Sequence, residues 1–490
     1  MSFGDPVRNG LGVGLLASTA VNTRVGAAIV AYLPTLASAP VYVRANKKLI
    51  SSYNGFAARA ASGPTNLTFN DISTLSSITL IDTAYDQSGL GNNSTQSTIA
   101  AQPAYTPSAK IGGTPSIAMV LPFSGTQNQL VIPASVAVSR QDHSVFMVLL
   151  PTVSLAGNSL MSLDISAAAA SAFYTDPSIA NLLRYTPNAS LGLQQSAQAI
   201  VIGFSSGSSV HRWWARGQTG TVAAYAAGSL VGGTDGWVTA FSGYPAYNYT
   251  AAMIVYPTAL SQIDGQAVVD FLTAKYSIET SFTKRIVFDG DSLMQGSVAA
   301  ASGDMPTIIN SISWPANIER FNLGISGQQE SDSTTAFAAR FNQHIISTFG
   351  GTITIIQANG TNDIGVGGQT DVQVAARDDA FLAAIRARAT AQGITVKAGI
   401  ATIAPRSDAA WTGAMEIYRL AVNIRRKTLA GGSGQTWDFC VDVDGTITGA
   451  GILTTNTTYY FSDKLHWTKT MYDSIVGPAY RTALLAAGSI

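Results

Sequence analysis

The chain has 490 residues, 46% of them hydrophobic and only 11% charged, with 28 basic against 28 acidic side chains. Zero net charge argues against a nucleic-acid partner and leaves no polybasic patch for an anionic membrane. Cys440 is the only cysteine, which excludes an intrachain disulfide and a cysteine-based metal site.

A chain of this length predicts two or three compact units. At the N-terminus, "VRNGLGVGLLASTA" has a basic Arg8, a short apolar stretch and a small-x-small ending at Ser18 to Ala20. A secretory signal has those parts, but Asp5 and the interrupting glycines count against one. The stretch from Arg24 to Arg44 is uncharged, yet Pro34 and Pro40 break it. Buried strands explain it better than a membrane span. Low charge with abundant Gly, Ala, Ser and Thr is frequent in secreted and virion-surface proteins, which sets the expected location.

Up to about Tyr276, short apolar or alternating runs are separated by Gly, Pro, Asn and Ser. "PVYVRA" at Pro40, "SVFMVLLPTV" at Ser144 and "AAMIVYPTAL" at Ala251 are examples. This is the punctuation of an antiparallel sandwich or barrel. "DTAYDQSGLGNNSTQ", Asp82 to Gln96, reads as a tight turn stabilised by its own side chains. Asp82 or Asp86 is a conceivable calcium ligand, but a satisfied turn accounts for both. Trp213, Trp214, Trp237, Tyr244, Tyr247 and Tyr249 are candidates for stacking on sugars, with core packing as the competing role. The region closes with a predicted helix over Leu260 to Ile278, N-capped by Ser261. Its expected apolar face is Ile263, Val268, Phe271 and Leu272.

After Arg285 the rhythm becomes strand, loop, long helix. "RIVFDG", "TITIIQANG", "ITVKAGIATIAP" and "TWDFCVDVDG" are near-continuous apolar runs, as in parallel strands covered on both faces. "DVQVAARDDAFLAAIRARATAQG" and "MEIYRLAVNIRRKTLAGG" read as helices between them. The last helix, "TKTMYDSIVGPAYRTALLAAG", should kink at Gly477 and Pro478. The expected organisation is two domains: residues 1–282 all-β, and residues 283–490 α/β with a parallel sheet and helices on both faces.

The first strand of the second domain stops at Gly-Asp-Ser, which puts Ser292 on the rim where open parallel sheets bind ligands. A hydroxyl alone is a poor nucleophile and needs a base within hydrogen-bond reach. The only histidines after Arg285 are His344, in a helical-looking stretch away from any strand end, and His466. Asp463 precedes His466 by three residues, a spacing that lets its carboxylate fix the imidazole tautomer and leave the other ring nitrogen for Ser292. Two further strand ends offer oxyanion donors: the backbone N–H of Gly324 in "FNLGISGQ", and the side-chain amide of Asn362 in "QANGTND".

Taken in order, "FDGDSLMQG", "NLGISG", "NGTND" and "DKLHW" resemble the four signature blocks of the SGNH (GDSL-type) hydrolase family. The resemblance covers most of Arg285 to Ile490. It implies a flavodoxin-like α/β/α fold and metal-free, cofactor-free serine esterase or deacetylase chemistry. It also implies Ser292 as nucleophile, His466 as general base and then acid, and Asp463 as the orienting carboxylate. The N–H groups of Ser292 and Gly324 and the amide of Asn362 would form the oxyanion hole, with Asp291 and Asp363 bracing turns. The segment from Tyr42 to Ile278 is similar to laminin-G-like, concanavalin-A-like jelly rolls. The similarity rests on the Tyr-Asp-Gln-Ser-Gly-x-Gly-Asn turn, the runs after it and the closing helix. That likeness implies a β-sandwich, often carbohydrate-binding. Together the expected function is esterase action on an acetylated polysaccharide. Two alternatives stand: a lipase or thioesterase on small acyl esters, and a glycan-binding adhesin or tail-fibre module whose hydrolase fold is inactive.

Overall fold

A computed structural model describes residues 198–215, 247–296, 307–431 and 436–490 continuously. Elsewhere it describes only β-strands and isolated positions. In the N-terminal part, β1 (His143–Pro151) lies between β2 (Ile200–Ser206) and β4 (Tyr247–Tyr256), and β3 (Val210–Ala215) flanks β2. Every described pairing in this part is antiparallel, including those of β1 with both neighbours. Val145 to Leu149 on β1 are wholly buried, so this strand forms the centre of the layer.

Helix α1 (Gln262–Lys275) packs on these strands, and Ser261 caps it by accepting the Asp264 N–H. The cap is the expected one, and of the expected apolar face Val268, Phe271 and Leu272 pack against the core while Ile263 does not. Val268, Val269 and Leu272 are buried, but Ile263 is 71% exposed. Contact with the strands is set by Gly265, where a Cβ would lie 2.2 Å from the Trp214 ring. The face therefore centres on Gly265, Val268 and Leu272, and the first-turn Ile263 points away. Trp214 is thus a core residue and not a sugar platform, and Trp213 beside it is half-buried. The side chains of Asp82, Asp86, Trp237, Tyr244, Tyr247 and Tyr249, and the connections that would define a jelly roll, lie outside the described residues.

The C-terminal part is an α/β layer structure around five parallel strands. These are β5 (Lys284–Gly290), β6 (Ile318–Asn322), β7 (Thr352–Ala358), β8 (Val396–Ala401) and β9 (Phe439–Val441). Their spatial order is β6-β5-β7-β8-β9. Counted within the sheet this is 2-1-3-4-5, the flavodoxin-like order, in which the switch point lies between the first and third strands.

Side chains alternate across the strands as the pleat requires. Ile286, Phe288 and Ile356 pack on one face with Met471, Tyr472, Tyr480 and Leu484. Val287, Ile353 and Ile355 pack on the other with Phe341, Phe381 and Ile385. Both faces are dry, which is why the strands read as unbroken apolar runs. Truncating a residue such as Phe288 to Ala would cost about 3–5 kcal/mol.

Helix α4 (Asp371–Gln392) carries a Thr370–Gln373 capping box and ends at Gly393 with φ 64, where a side chain would be strained. The final helix is not simply kinked. Tyr472–Val476 widens into a π-helical turn before Gly477–Ala486 continues with Pro478 in its first turn. Pro478 has no N–H to donate to the preceding turn, and the widened π-helical turn lies immediately before it. The N-terminal strands meet the edge strand β6: Gln198 Oε1 accepts the Arg320 N–H at 3.0 Å, and Glu279 accepts the Asn317 N–H. Among the described residues no helix is long and apolar enough to cross a membrane.

Candidate active site

The turn that carries Ser292 follows directly from its residues. Strand β5 ends at Gly290, where a Cβ would sit 2.7 Å from Met294 Cβ, so only glycine lets the chain fold back this tightly. Asp291 then takes an extended conformation and caps the four-residue helix α2 (Ser292–Gln295), its Oδ1 accepting the Leu293 N–H at 3.0 Å. Gly296, with φ 77, terminates the turn. Ser292 therefore occupies the first position of α2, at the carboxyl end of the sheet, 7% exposed. Tyr472 Oη donates to Leu293 O at 2.6 Å and ties the turn to the last helical segment.

His466 reaches Ser292 from a loop 174 residues away. Its Nε2 lies 2.9 Å from Ser292 Oγ, and its Nδ1 lies 2.7 Å from Asp463 Oδ2. A carboxylate at Nδ1 requires a proton there, which leaves Nε2 to accept the serine proton. Asp463 Oδ1 accepts the N–H groups of Leu465 and His466, both at 3.0 Å. Lys464, with φ 57, supplies the left-handed step that lets this turn close. Burial works against ionisation of Asp463. The bonds from the His466 ring and from the Leu465 and His466 N–H groups outweigh it and hold the carboxyl below its usual range. Next to the histidine, Trp467 is buried and packs edge-on to Tyr472, with centroids 5.3 Å apart.

Asn362 lies in the first turn of α3 (Thr361–Gly365), after β7. One Nδ2 proton goes to Gln328 O at 3.2 Å, and the amide has a second proton to give. Gly360, with φ 125, precedes it because a Cβ there would lie 2.5 Å from Ile403 Cδ1. Gly324 lies close to the Ser292 turn: a Cβ on it would be 2.7 Å from Gln295 N and 2.9 Å from Met294 Cβ. Its N–H, however, donates to Asn322 Oδ1 at 3.0 Å, while Asn322 Nδ2 donates to Met294 O at 3.0 Å. Gly324, expected from the sequence as an oxyanion donor, thus has its N–H turned into an Asx-type turn closed by the Asn322 amide.

Beneath the rim lies a buried polar network that the sequence did not announce. Asp289, at the end of β5, binds Arg340 at 2.5 Å, Ser333 Oγ at 2.6 Å and Asn359 Nδ2 at 2.9 Å. Gln328 Nε2 donates into the same cluster, and its carbonyl holds Asn362. Next to it, Asp363 accepts the Glu330 N–H and binds Arg377, while Asp378 binds Arg426 at 2.6 Å. Burial, reinforced by Asp378, raises the Glu330 carboxyl well above its ordinary value. Arg340 and Gln328 read in sequence as ordinary helix and loop residues; only the tertiary fold brings them under the site. His344 is buried against Phe321, with ring centroids 4.2 Å apart, away from Ser292's partners. Among the described residues no group of three His, Cys, Asp or Glu side chains is placed to hold a metal ion.

No protein-family model matches the sequence, and no curated protein matches it. Solved structures with partial likeness include the protein YXIM of Bacillus subtilis, at 10% identity and TM-score 0.34, covering 81% of this chain and 87% of that one. A carbohydrate esterase family 3 protein from Talaromyces cellulolyticus is 16% identical with TM-score 0.29, covering 42% of this chain and 99% of that one. The acetylxylan esterase Axe2 of Geobacillus stearothermophilus is 15% identical with TM-score 0.26, covering 43% and 96%. These scores are too low to fix a fold class or a function.

Proposed function

We propose that residues 283–490 form a serine ester hydrolase, and that its substrate is an acetylated polysaccharide. The observation that carries this reading is two hydrogen bonds in series, Ser292 Oγ to His466 Nε2 at 2.9 Å and His466 Nδ1 to Asp463 Oδ2 at 2.7 Å. Such a chain has one chemical use on a sheet rim: it removes the hydroxyl proton as the oxygen attacks a carbonyl.

In the first half-reaction His466 takes the Ser292 proton while Oγ bonds to the ester carbon. The tetrahedral oxyanion is received by the Ser292 N–H, which leads α2, and by the second Nδ2 proton of Asn362. Gly324 is the third donor and has to share its proton with Asn322 Oδ1. Asp463 keeps the imidazole oriented and stabilises the imidazolium. His466 then protonates the departing alcohol, and water repeats the sequence on the acyl-enzyme. The polysaccharide part of the reading leans on residues 1–282, proposed as an antiparallel sandwich that orients glycan, which is analogy at the level of folds. A secreted or virion-surface setting agrees with such a substrate.

The test is acetate release from a panel of acetylated polysaccharides by wild type and Ser292→Ala. Release confined to the wild type is expected. Equal release by both proteins removes the serine from the mechanism, and exclusive activity on long-chain acyl esters moves the substrate to lipid.

A further inference from the structure

We propose that the loop after β8 carries the subsite for the alcohol side of the ester. In this subsite Trp411 and the neighbouring Val366 and Leu453 form an apolar platform for a sugar ring. The inference depends on the serine esterase reading of the same site and adds its substrate-binding surface.

The placement comes from two tethers. On one side the loop abuts the helix of Asn362: a Cβ on Gly365 would lie 2.7 Å from Arg406 Nη1 and 3.3 Å from Trp411 Cζ3. On the other side it is joined to the histidine loop, Ser407 N–H donating to Lys464 O at 3.2 Å and Tyr460 Oη to Pro405 O at 3.1 Å. The loop therefore spans from the helix of Asn362 to the turn of His466 and flanks both groups that face Ser292.

Trp411 is fixed within that loop, packed against the buried cluster of Ile364, Val374, Ile403 and Val422. Arg406 stacks on its ring at 4.6 Å, and its indole N–H donates to Glu416 at 3.1 Å. Arg406 is itself held by Asp408 through two bonds, at 2.6 and 2.8 Å. Arg406 is thus a positioning residue for the indole. Beside this half-buried ring the rim exposes two apolar side chains. Val366, next to Gly365, is 72% exposed; Leu453, next to the Thr454 that bonds Ser407 Oγ, is 69% exposed. Exposure of that extent beside the helix of Asn362 and the loop after β8, with polar groups interleaved, suits the apolar C–H face and peripheral hydroxyls of a pyranose. An acyl chain calls instead for an enclosed apolar slot.

The test compares two acetyl esters, glucose pentaacetate and ethyl acetate, which share the acyl group and differ in whether a sugar ring is present. For Trp411→Ala, KM on glucose pentaacetate should rise about tenfold with kcat little changed, while both constants for ethyl acetate stay within about twofold. Trp411→Phe should restore most of the loss. The double variant Val366→Ser, Leu453→Ser changes only exposed positions and should also raise KM on the sugar ester alone. Equal losses on both esters, no loss on either, or an unchanged KM in the Val366/Leu453 variant overturns the platform. Wild type that cleaves ethyl acetate through Ser292 but not glucose pentaacetate overturns it as well, leaving the esterase standing. Absence of Ser292-dependent cleavage of ethyl acetate overturns the esterase and the platform together.

Discussion

Asp291 offers a prediction whose size follows from its surroundings. The carboxyl is buried under the nucleophile turn; Oδ1 accepts the Leu293 N–H, while Oδ2 is buried without a partner. Burial pushes its pKa up to about 7, against the opposing Leu293 bond and with help from the like charges of Asp363 and Asp289. An unfolded aspartate ionises near 3.9. Between those values the unfolded chain gives up its proton first, so stability falls as pH rises from about 4 to about 7 and then levels off. At 1.36 kcal/mol per unit the loss is about 4 kcal/mol at most. Asparagine keeps the Oδ1 acceptor and carries no charge at any pH. Asp291→Asn should therefore match wild type at pH 4 and exceed it by a few kcal/mol at pH 8. Urea unfolding midpoints of the two proteins, taken at half-unit pH steps, measure this. Parallel pH profiles, or a variant less stable than wild type at pH 8, would refute the reasoning.

Asp463→Asn retains an acceptor for the two backbone N–H groups but presents an amide to His466 Nδ1, so kcat should fall by about 10³–10⁴ while the melting temperature barely moves. Asn362→Ala should lower kcat by about 100- to 1000-fold with little change in KM on small esters. Gly324→Ala should lower both turnover and melting temperature, because the new Cβ meets Gln295 N at 2.7 Å. Lys464 sits at φ 57, so Lys464→Gly should preserve activity. Lys464→Val should cost about 1–2 kcal/mol in thermal unfolding and reduce turnover by loosening the Asp463–His466 turn.

The parts of the site legible in the sequence are those set by local chemistry. Ser292 is set on the sheet rim by a strand that runs apolar to its end and stops at Gly-Asp-Ser, and Asp463 and His466 are three residues apart, so a single turn joins them. The parallel strands were legible because both faces of the sheet are covered. What could not be read depends on side chains meeting from distant segments. Nothing local in "FNLG" says that the Asn322 amide turns back onto the Gly324 N–H. Arg340 is separated by 51 residues from the buried Asp289 it neutralises. Ile263 fits a helical apolar stripe, but Gly265 and Trp214 set the contact face, and the first turn falls outside it. The π-helical turn at Tyr472–Val476 has the same character: Pro478 signals a disturbance, but the bond from Tyr472 Oη to Leu293 O joins it to a segment 179 residues away.

The proposed mechanism requires the His466 imidazole to activate one serine hydroxyl. A fluorophosphonate probe followed by peptide mass spectrometry measures this directly, because only an activated serine attacks phosphorus at a useful rate. Stoichiometric labelling at Ser292 is expected, abolished in Ser292→Ala and slowed by several orders of magnitude in His466→Ala. Labelling at another residue, or at Ser292 with the same rate in both wild type and His466→Ala, would contradict it.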